Sequence, residues 1–220
     1  MQHFNIVVFD VDGTLLDTSE GVLASVKYTI KKHNLPQIDE VTLRTFIGPP
    51  IQDSFARVYG LSGEILQELA TTFRNRYKDV DLLKAVPYDG IFEVFDALLA
   101  KGIKPAIATY KRQDYATKIM KHFGFDKYTD IIYGADHENK LKKRDIIELA
   151  LKACGLDDFS NVVMVGDSDN DAIGAEGIGT KFIGVTYGFG FKSKDDVKKF
   201  KNIGCADTTK ELRMILVGDK

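Results

Sequence analysis

Cysteine is scarce in this 220-residue sequence, which contains only Cys154 and Cys205. The two residues lie far apart in the chain and lack the CxxC spacing of many metal and redox sites. A disulfide framework or a cysteine-ligated metal centre is therefore not expected. We predict that both cysteines are free thiols that contribute to packing.

A surplus of basic residues is also lacking, since 30 lysines and arginines stand against 32 aspartates and glutamates. Without such a surplus we expect no nucleic-acid partner. No apolar run approaches the roughly 20 residues that span a membrane, and an aspartate interrupts the first run too early for a signal peptide. These absences predict a cytoplasmic protein that does not bind membranes.

Strand-like apolar runs alternate with helical patterns over much of the chain. Alternation of this kind is typical of a parallel sheet covered by helices on both faces. We therefore predict an α/β fold with a Rossmann-like, doubly wound parallel sheet, whose ligands lie beyond the carboxyl ends of the strands. The runs are NIVVFDV, KPAIAT, DIIYG, NVVMVGD and KFIGV, and the clearest helical patterns are GIFEVFDALLAKG and KRDIIELALKACG.

One long stretch, from Ser19 to about Ala85, contains helical patterns and no convincing strand. Ser62 is the expected N-cap of the last of these helices. Gly48 is expected to end one helix, and the prolines after it suit the start of the next. We predict a catalytic core formed by residues 1–16 and 86–220, with an inserted α-helical cap domain at 17–85.

Asp10 and Asp12 follow the first apolar run and are followed at once by Gly13. In an extended strand, residues two apart share a face, so these carboxylates would lie side by side. Two such charges about 4 Å apart repel by roughly 1 kcal/mol in water and about 4 kcal/mol at an effective dielectric of 20. The pair therefore indicates that a cation binds there.

Further polar residues follow two other strand-like runs. Thr109 ends KPAIAT, Asp167 ends NVVMVGD, and Asp171 comes one helical turn after Asp167. If a helix begins near Ser168, Asp171 faces back toward Asp167. Carboxylate oxygens in this number suit Mg²⁺. A carboxylate at such an edge can attack phosphorus, while a second carboxyl transfers a proton.

The chain resembles the haloacid dehalogenase superfamily, and within it the phosphoglycolate-phosphatase-like branch that carries an inserted helical cap. The resemblance covers nearly the whole chain. It implies an Mg²⁺-dependent phosphatase that hydrolyses a small phosphate monoester, phosphoglycolate being the leading candidate, through an aspartyl phosphate. The motifs that carry it are FDVDGTLLDT, IATYK, the lysine before RDIIELAL, and VGDSDNDAIGA, together with SEGVLASVKY and FIGPPIQDSF in the insert.

The same resemblance implies roles for individual residues. Asp10 would be the nucleophile and Asp12 the general acid and base. Asp10, the Asp12 backbone carbonyl and Asp167 would hold Mg²⁺, with Asp171 as a further ligand or an anchor. Thr109 and Lys143 would contact the phosphoryl group as catalytic residues. The candidate substrate-binding residues are Gly13, Thr109, Lys111 and Lys143 in the core and Gly48, Pro49 and Arg57 in the insert.

Two departures from the family pattern concern Tyr110 and the lysine motif. Tyr110 occupies a position where the family usually has serine or asparagine, so it can crowd the pocket. The lysine motif has no proline behind it, so Lys140 and Lys142 compete with Lys143 for the catalytic role. Lys143 is our choice because RDII follows it.

Several alternatives remain at this stage. A nucleoside monophosphate phosphatase and a β-phosphoglucomutase-like phosphomutase use the same nucleophile, although SEGVLAS lacks the mutase histidine. A phosphorylatable signalling receiver also combines acids, a threonine and a lysine, but the long insert argues against it. The YGFGF segment is interpreted as a tight loop near the edge of the sheet and not as a phosphate cradle. We expect a monomer or weak homodimer.

Overall fold

The computed structural model describes residues 4–137 and 140–218. The chain divides into two compact units, one formed by Met1–Asp17 and Pro87–Lys220 and the other by Thr18–Val86. We call them the sheet unit and the helical unit. Whether the helical unit acts as a cap stays a prediction.

The sheet unit is built on a six-stranded sheet. Its strands are β1 (Ile6–Phe9), β4 (Lys104–Arg112), β5 (Ile132–Ala135), β6 (Val162–Gly166), β7 (Lys181–Val185) and β8 (Gly204–Ala206), and a separate two-stranded sheet contains β2 (Leu16–Asp17) and β3 (Val86–Pro87). The spatial order is β5-β4-β1-β6-β7-β8, and the neighbouring strands pair in parallel. The predicted Rossmann-like α/β fold class is confirmed.

The central strand β1 is buried along its whole length. It pairs with β4 on one side and β6 on the other, so Phe9 lies opposite Ile107 and Val165. Strand order reverses here, because the chain continues from β1 to one neighbour and only later builds the other side. In open α/β sheets such a reversal creates a crevice outside the carboxyl ends of the strands.

Helices of the sheet unit flank the sheet. Leu99 and Leu149 lie outside the buried faces of their helices and are exposed. The reason in the second case is that the buried stripe runs through Ile146, Ile147, Ala150 and Leu151, which rotates Leu149 away from it. The helices are α5 (Ile91–Ala100), α6 (Gln113–Phe123), α7 (Lys143–Ala153), α8 (Asp169–Ile178), α9 (Lys194–Val197) and α10 (Thr209–Val217), with a short 3₁₀ turn at Phe125–Lys127.

The helical unit contains α1 (Ser19–Lys32), α2 (Glu40–Arg44), α3 (Ile51–Tyr59) and α4 (Glu64–Arg76), followed by a π-helical turn at Tyr77–Asp81. The expectation that Ser62 caps the last helix is wrong. Gly63 is the residue before α4, and its φ of 75° gives the chain a left-handed entry that glycine accommodates best.

Two expectations about composition bear on the fold. Cys154 and Cys205 are free thiols, as predicted, and both are half-buried. Within residues 4–137 and 140–218, every helix is too short or too polar to cross a membrane.

Candidate active site

Three buried aspartates meet at the carboxyl edge of the sheet. Asp10 directly follows β1, Asp167 directly follows β6, and Asp171 lies in the first turn of α8. One carboxylate oxygen from each residue lies within 4.8 Å of the others. A set of hard oxygen donors this close together fits a hard divalent cation.

The start of α8 fixes the orientation of Asp171. Ser168 precedes the helix, and its backbone N and Oγ donate to Asp171 Oδ2 at 3.1 and 2.7 Å. A β-carbon on Gly166 would lie 2.3 Å from Asp171 Cγ, so only glycine leaves room for this carboxylate. The prediction that a helix begins near Ser168 and turns Asp171 toward Asp167 is confirmed.

Lys143 is the first residue of α7, and its side chain is only 3% exposed. Its Nζ lies 2.5 Å from Asp10 Oδ1 and 2.6 Å from Asp171 Oδ1. Lys140 and Lys142, the two competing lysines, are exposed. Lys143 is therefore the lysine that the fold brings to the acidic cluster.

Two aspartates of this cluster have raised pKa values. Burial raises the pKa of Asp10 to about 7, although Lys143 acts to lower it, and the charges of Asp171 and Asp12 add to the increase. Burial, with the charges of Asp171 and Asp10, likewise raises the pKa of Asp167 to about 7. A cation bound among these oxygens would favour their ionised forms.

The pKa of Lys143 is raised as well, and in a lysine a raised pKa favours the charged form. Burial alone would lower the pKa of its ammonium group, but attraction to Asp10 and Asp171 outweighs that effect and raises the pKa. The lysine therefore stays charged and supplies a fixed positive group beside the Asp10 carboxylate.

Asp12 lies apart from the three-aspartate cluster. The expectation that Asp10 and Asp12 share one extended strand is wrong, because β1 ends at Phe9 and the chain then turns. Amides of Leu15 and Leu16 donate to the Val11 carbonyl and close this turn. The Asp12 carboxylate instead lies 3.0 Å from Lys111 Nζ.

Gly13 lies against Asp167. Its φ is 79°, and a β-carbon there would lie only 2.1 Å from Asp167 Oδ2. A larger residue would therefore be strained and would displace the carboxylate. The predicted site residue Gly13 thus belongs to the packing of the cluster.

An irregularity in β4 positions Thr109, Tyr110 and Lys111. Ala108 pairs with Tyr133 and Arg112 with Ala135, so these three residues lie opposite Gly134 alone. We call the segment 109–111 the β4 bulge. Bulges of this kind re-aim side chains beside active sites. Thr109 is buried, and its Oγ1 accepts a hydrogen bond from the Lys111 amide at 3.2 Å.

Gln113 repairs the ladder that the β4 bulge interrupts. Its Nε2 donates to the Ile132 carbonyl at 2.8 Å, and its Oε1 accepts from the Gly134 amide at 2.6 Å. A β-carbon on Gly134 would lie 2.4 Å from the Lys111 carbonyl, so a glycine is needed opposite the bulge. The sequence reasoning missed Gln113, since a glutamine beginning a helix carries no recognisable signal for this role.

The YGFGF segment, residues 187–191, forms a tight loop against Asp167. The amides of Phe189 and Gly190 donate to Asp167 Oδ2 at 2.6 and 2.9 Å. Tyr187 Oη donates to the Thr14 carbonyl at 3.1 Å and so ties this loop to the turn that carries Asp12. The sequence indicated a loop at this edge, but its hold on Asp167 was not foreseen.

Residues 7–185 match the family model described as haloacid dehalogenase-like hydrolase. The chain belongs to this family. The family membership and the hydrolase class that the sequence motifs predicted are confirmed.

Relatives of this haloacid dehalogenase-like hydrolase match almost all of the chain. A 5'-nucleotidase of Pseudomonas aeruginosa is 34% identical over 212 residues, which are 96% of this chain and 94% of the relative. The pyrophosphatase PpaX of Halalkalibacterium halodurans is 32% identical over 199 residues, which are 90% of each chain. The crystal structure of a "predicted phosphatase" from Clostridium acetobutylicum has a TM-score of 0.90 and 32% identity, covering 99% of this chain and 100% of that one.

The remaining candidate residues of the hydrolase lie in the helical unit. Gly48 and Pro49 are exposed, and Gly48 has a φ of 102°. Arg57 Nη2 donates to the carbonyl and the Oγ1 of Thr45 at 2.9 and 3.1 Å. A role for these three residues in substrate binding stays a prediction.

Proposed function

We propose that this hydrolase is an Mg²⁺-dependent phosphatase that cleaves a small phosphate monoester through an aspartyl phosphate on Asp10. The observation that carries the proposal is the buried contact of Asp10 with Lys143, 2.5 Å apart, within a three-aspartate cluster at the switch point of the sheet. A structural role alone does not account for burying three acids beside one lysine.

In the first step, a carboxylate oxygen of Asp10 attacks the phosphorus atom of the ester. The bond from phosphorus to the leaving oxygen breaks, and the protonated carboxyl of Asp12 gives its proton to that oxygen. Lys143 neutralises charge on the phosphoryl oxygens, and Thr109 donates a hydrogen bond to them. The products are an alcohol and a phosphorylated Asp10.

In the second step, the Asp12 carboxylate takes a proton from water as the water oxygen attacks the same phosphorus. The bond to Asp10 breaks, inorganic phosphate leaves, and both aspartates return to their starting states. Lys111 Nζ lies 3.0 Å from the Asp12 carboxylate and holds this side chain in position for the step.

The oxygens of Asp10 and Asp167 would hold Mg²⁺ together with the backbone carbonyl of Asp12. Mg²⁺ would supply the positive charge that the clustered carboxylates and the phosphoryl group need. The Asp171 carboxylate is already engaged by Lys143 and by Ser168, so its role is to anchor the lysine beside Asp10. Phe189 and Gly190 hold Asp167 in place through their amides.

Phosphoglycolate is the leading substrate candidate, as the branch resemblance implies. A nucleoside monophosphate is the second candidate, and the 34% identity to a 5'-nucleotidase favours it. A panel of phosphoglycolate, nucleoside monophosphates, other small monoesters and pyrophosphate separates these possibilities by kcat/KM.

Metal dependence and the Asp10→Asn variant complete this test. Activity should disappear with a chelator, return with Mg²⁺ and return poorly with Ca²⁺, whose larger and looser coordination sphere would misplace the nucleophile. Asp10→Asn should remain folded and inactive, because an amide does not attack phosphorus. Full activity without metal, or in the folded Asp10→Asn variant, would contradict the proposal.

A further inference from the structure

Tyr110 lies in the β4 bulge directly after Thr109. Its side chain is half-buried and packs against the hydrophobic core that includes Ile146 and Ile147 of α7. Its ring therefore packs beside the helix that carries Lys143.

The hydroxyl of Tyr110 makes one specific contact with α7. The backbone N of Lys143 donates to Tyr110 Oη at 2.9 Å. Because Lys143 is the first residue of the helix, its amide has no partner within the helix itself. Tyr110 provides the acceptor that this amide needs.

The ring of Tyr110 makes a second contact with the same residue. Lys143 Nζ lies 5.8 Å from the ring centroid, within the range of a cation–π interaction. One side chain therefore touches both the backbone and the ammonium group of Lys143. The Lys142 amide, one residue earlier, is satisfied separately by Asp145 Oδ2 at 2.9 Å.

The β4 bulge explains how one strand carries Thr109 and also contacts Lys143 through Tyr110. Thr109 is buried and Tyr110 reaches α7, and both lie within a segment that outnumbers the opposing strand by two residues. A change in the bulge would therefore alter the hydroxyl of Thr109 and the support of Lys143 together.

We propose that Tyr110 is a positioning residue that holds Lys143 against Asp10 and Asp171 through its hydroxyl and its ring. The inference rests on the phosphatase function proposed above, in which Lys143 meets the phosphoryl group. Tyr110 then links the strand of Thr109 to the helix of Lys143, so that both groups keep a fixed separation as charge develops.

A double-mutant cycle between Tyr110→Phe and Lys143→Ala tests this role. Lys143→Ala should lower kcat/KM on the order of 10²-fold. Tyr110→Phe keeps the ring but removes the acceptor, and it should lower kcat/KM by roughly threefold to tenfold, the range of one hydrogen bond. In the Lys143→Ala background, Tyr110→Phe should change kcat/KM by less than about twofold.

Tyr133→Phe is the matched control. Tyr133 is half-buried, lies on the neighbouring strand β5 and packs against the same hydrophobic core. It should leave kcat/KM unchanged in both backgrounds. Thermal unfolding of each variant shows whether a loss of activity reflects a loss of folded protein.

The outcomes separate the two proposals. An equal loss from Tyr110→Phe in both backgrounds, or no loss in the parent, would overturn the positioning role while leaving the phosphatase proposal intact. Undiminished turnover in both Lys143→Ala and Asp10→Asn would overturn the proposed function itself, and with it the role of Tyr110.

Discussion

Gly188 occupies one of the most crowded positions beside the aspartate cluster. A β-carbon there would lie 2.2 Å from the Gly13 carbonyl oxygen and 2.5 Å from Asp167 Oδ2. The loop 187–191 would have to move away, and its amides would then lose their hydrogen bonds to Asp167. At the scale of a single residue, the position of the Asp167 carboxylate therefore depends on the absence of one methyl group.

Gly188→Ala should lower kcat/KM by about tenfold to a hundredfold, because a displacement near 1 Å at a catalytic site has effects of this size. Steady-state kinetics and Mg²⁺ titration of activity measure the change. Gly177→Ala is the control, since its β-carbon would come no nearer than 3.7 Å to Arg144 Cβ. Wild-type kinetics in Gly188→Ala would show that the loop does not position Asp167.

The site residues that could be located from the sequence are those that directly follow a strand. Asp10 and Asp167 follow parallel strands, so their meeting at one edge follows from strand direction alone. The pairing of Asp12 with Lys111 did not follow in this way. It depends on a turn after Phe9 and on the β4 bulge, and neither has a period that a sequence pattern reveals.

At the scale of elements, the helical unit contains a buried charge that joins three of its segments. The Asp81 side chain has no exposed surface and contacts Ser25 at 3.0 Å, Arg76 at 2.8 Å and Lys84 at 2.9 Å. Burial acts to raise the pKa of Asp81, but Lys84, Arg76 and Ser25 outweigh it and hold the pKa below its ordinary value of 3.8. The carboxylate thus ties α1 and α4 to the end of the π-helical turn.

Asp81→Asn should destabilise the protein by about 2 kcal/mol at pH 7, less than a fully buried pair because Arg76 and Lys84 are partly exposed. Because the folded pKa is depressed, this stabilisation is complete above the ordinary pKa of 3.8 and is lost as pH falls through the folded value. Thermal unfolding of both proteins between pH 7 and pH 3 measures it. A difference in Tm that stays constant down to the lowest pH would contradict this account.

Among the elements, alternation predicted the sheet correctly, and helical period predicted helices where α1 to α4 lie. The ends of the helices were harder to predict, as Ser62 shows, because a glycine with positive φ directly precedes α4 where a side-chain cap was expected. The β4 bulge was not predictable, since the side chain of Gln113 replaces ladder hydrogen bonds across a distance of 19 to 21 residues in sequence.

At the scale of the whole molecule, we propose that the helical unit selects the leaving group of the substrate. Arg57 is the residue through which to test this, because it is a cation in the segment that the sequence singled out. Arg57→Ala should raise KM several-fold for the natural substrate and leave a small activated aryl phosphate unaffected, since that ester gains little from remote contacts. Kinetics on both substrates measure the difference.

Arg44→Ala is the control for this prediction. Arg44 is exposed in the same unit and lies 3.7 Å from Glu40. It should change neither substrate's KM. Equal effects of Arg57→Ala on both substrates would indicate that the residue supports the helical unit through Thr45 and does not choose the substrate.

The most direct test of the central claim is to locate the phosphoryl group during turnover. In Asp12→Asn, an activated aryl phosphate can still phosphorylate Asp10, because its leaving group needs no proton, but hydrolysis lacks its base. Acid quenching followed by peptide mass spectrometry should find the phosphoryl group on Asp10, and it should find none in the Asp10→Asn/Asp12→Asn double variant. A phosphoryl group on another residue, or equal labelling of the double variant, would contradict the account.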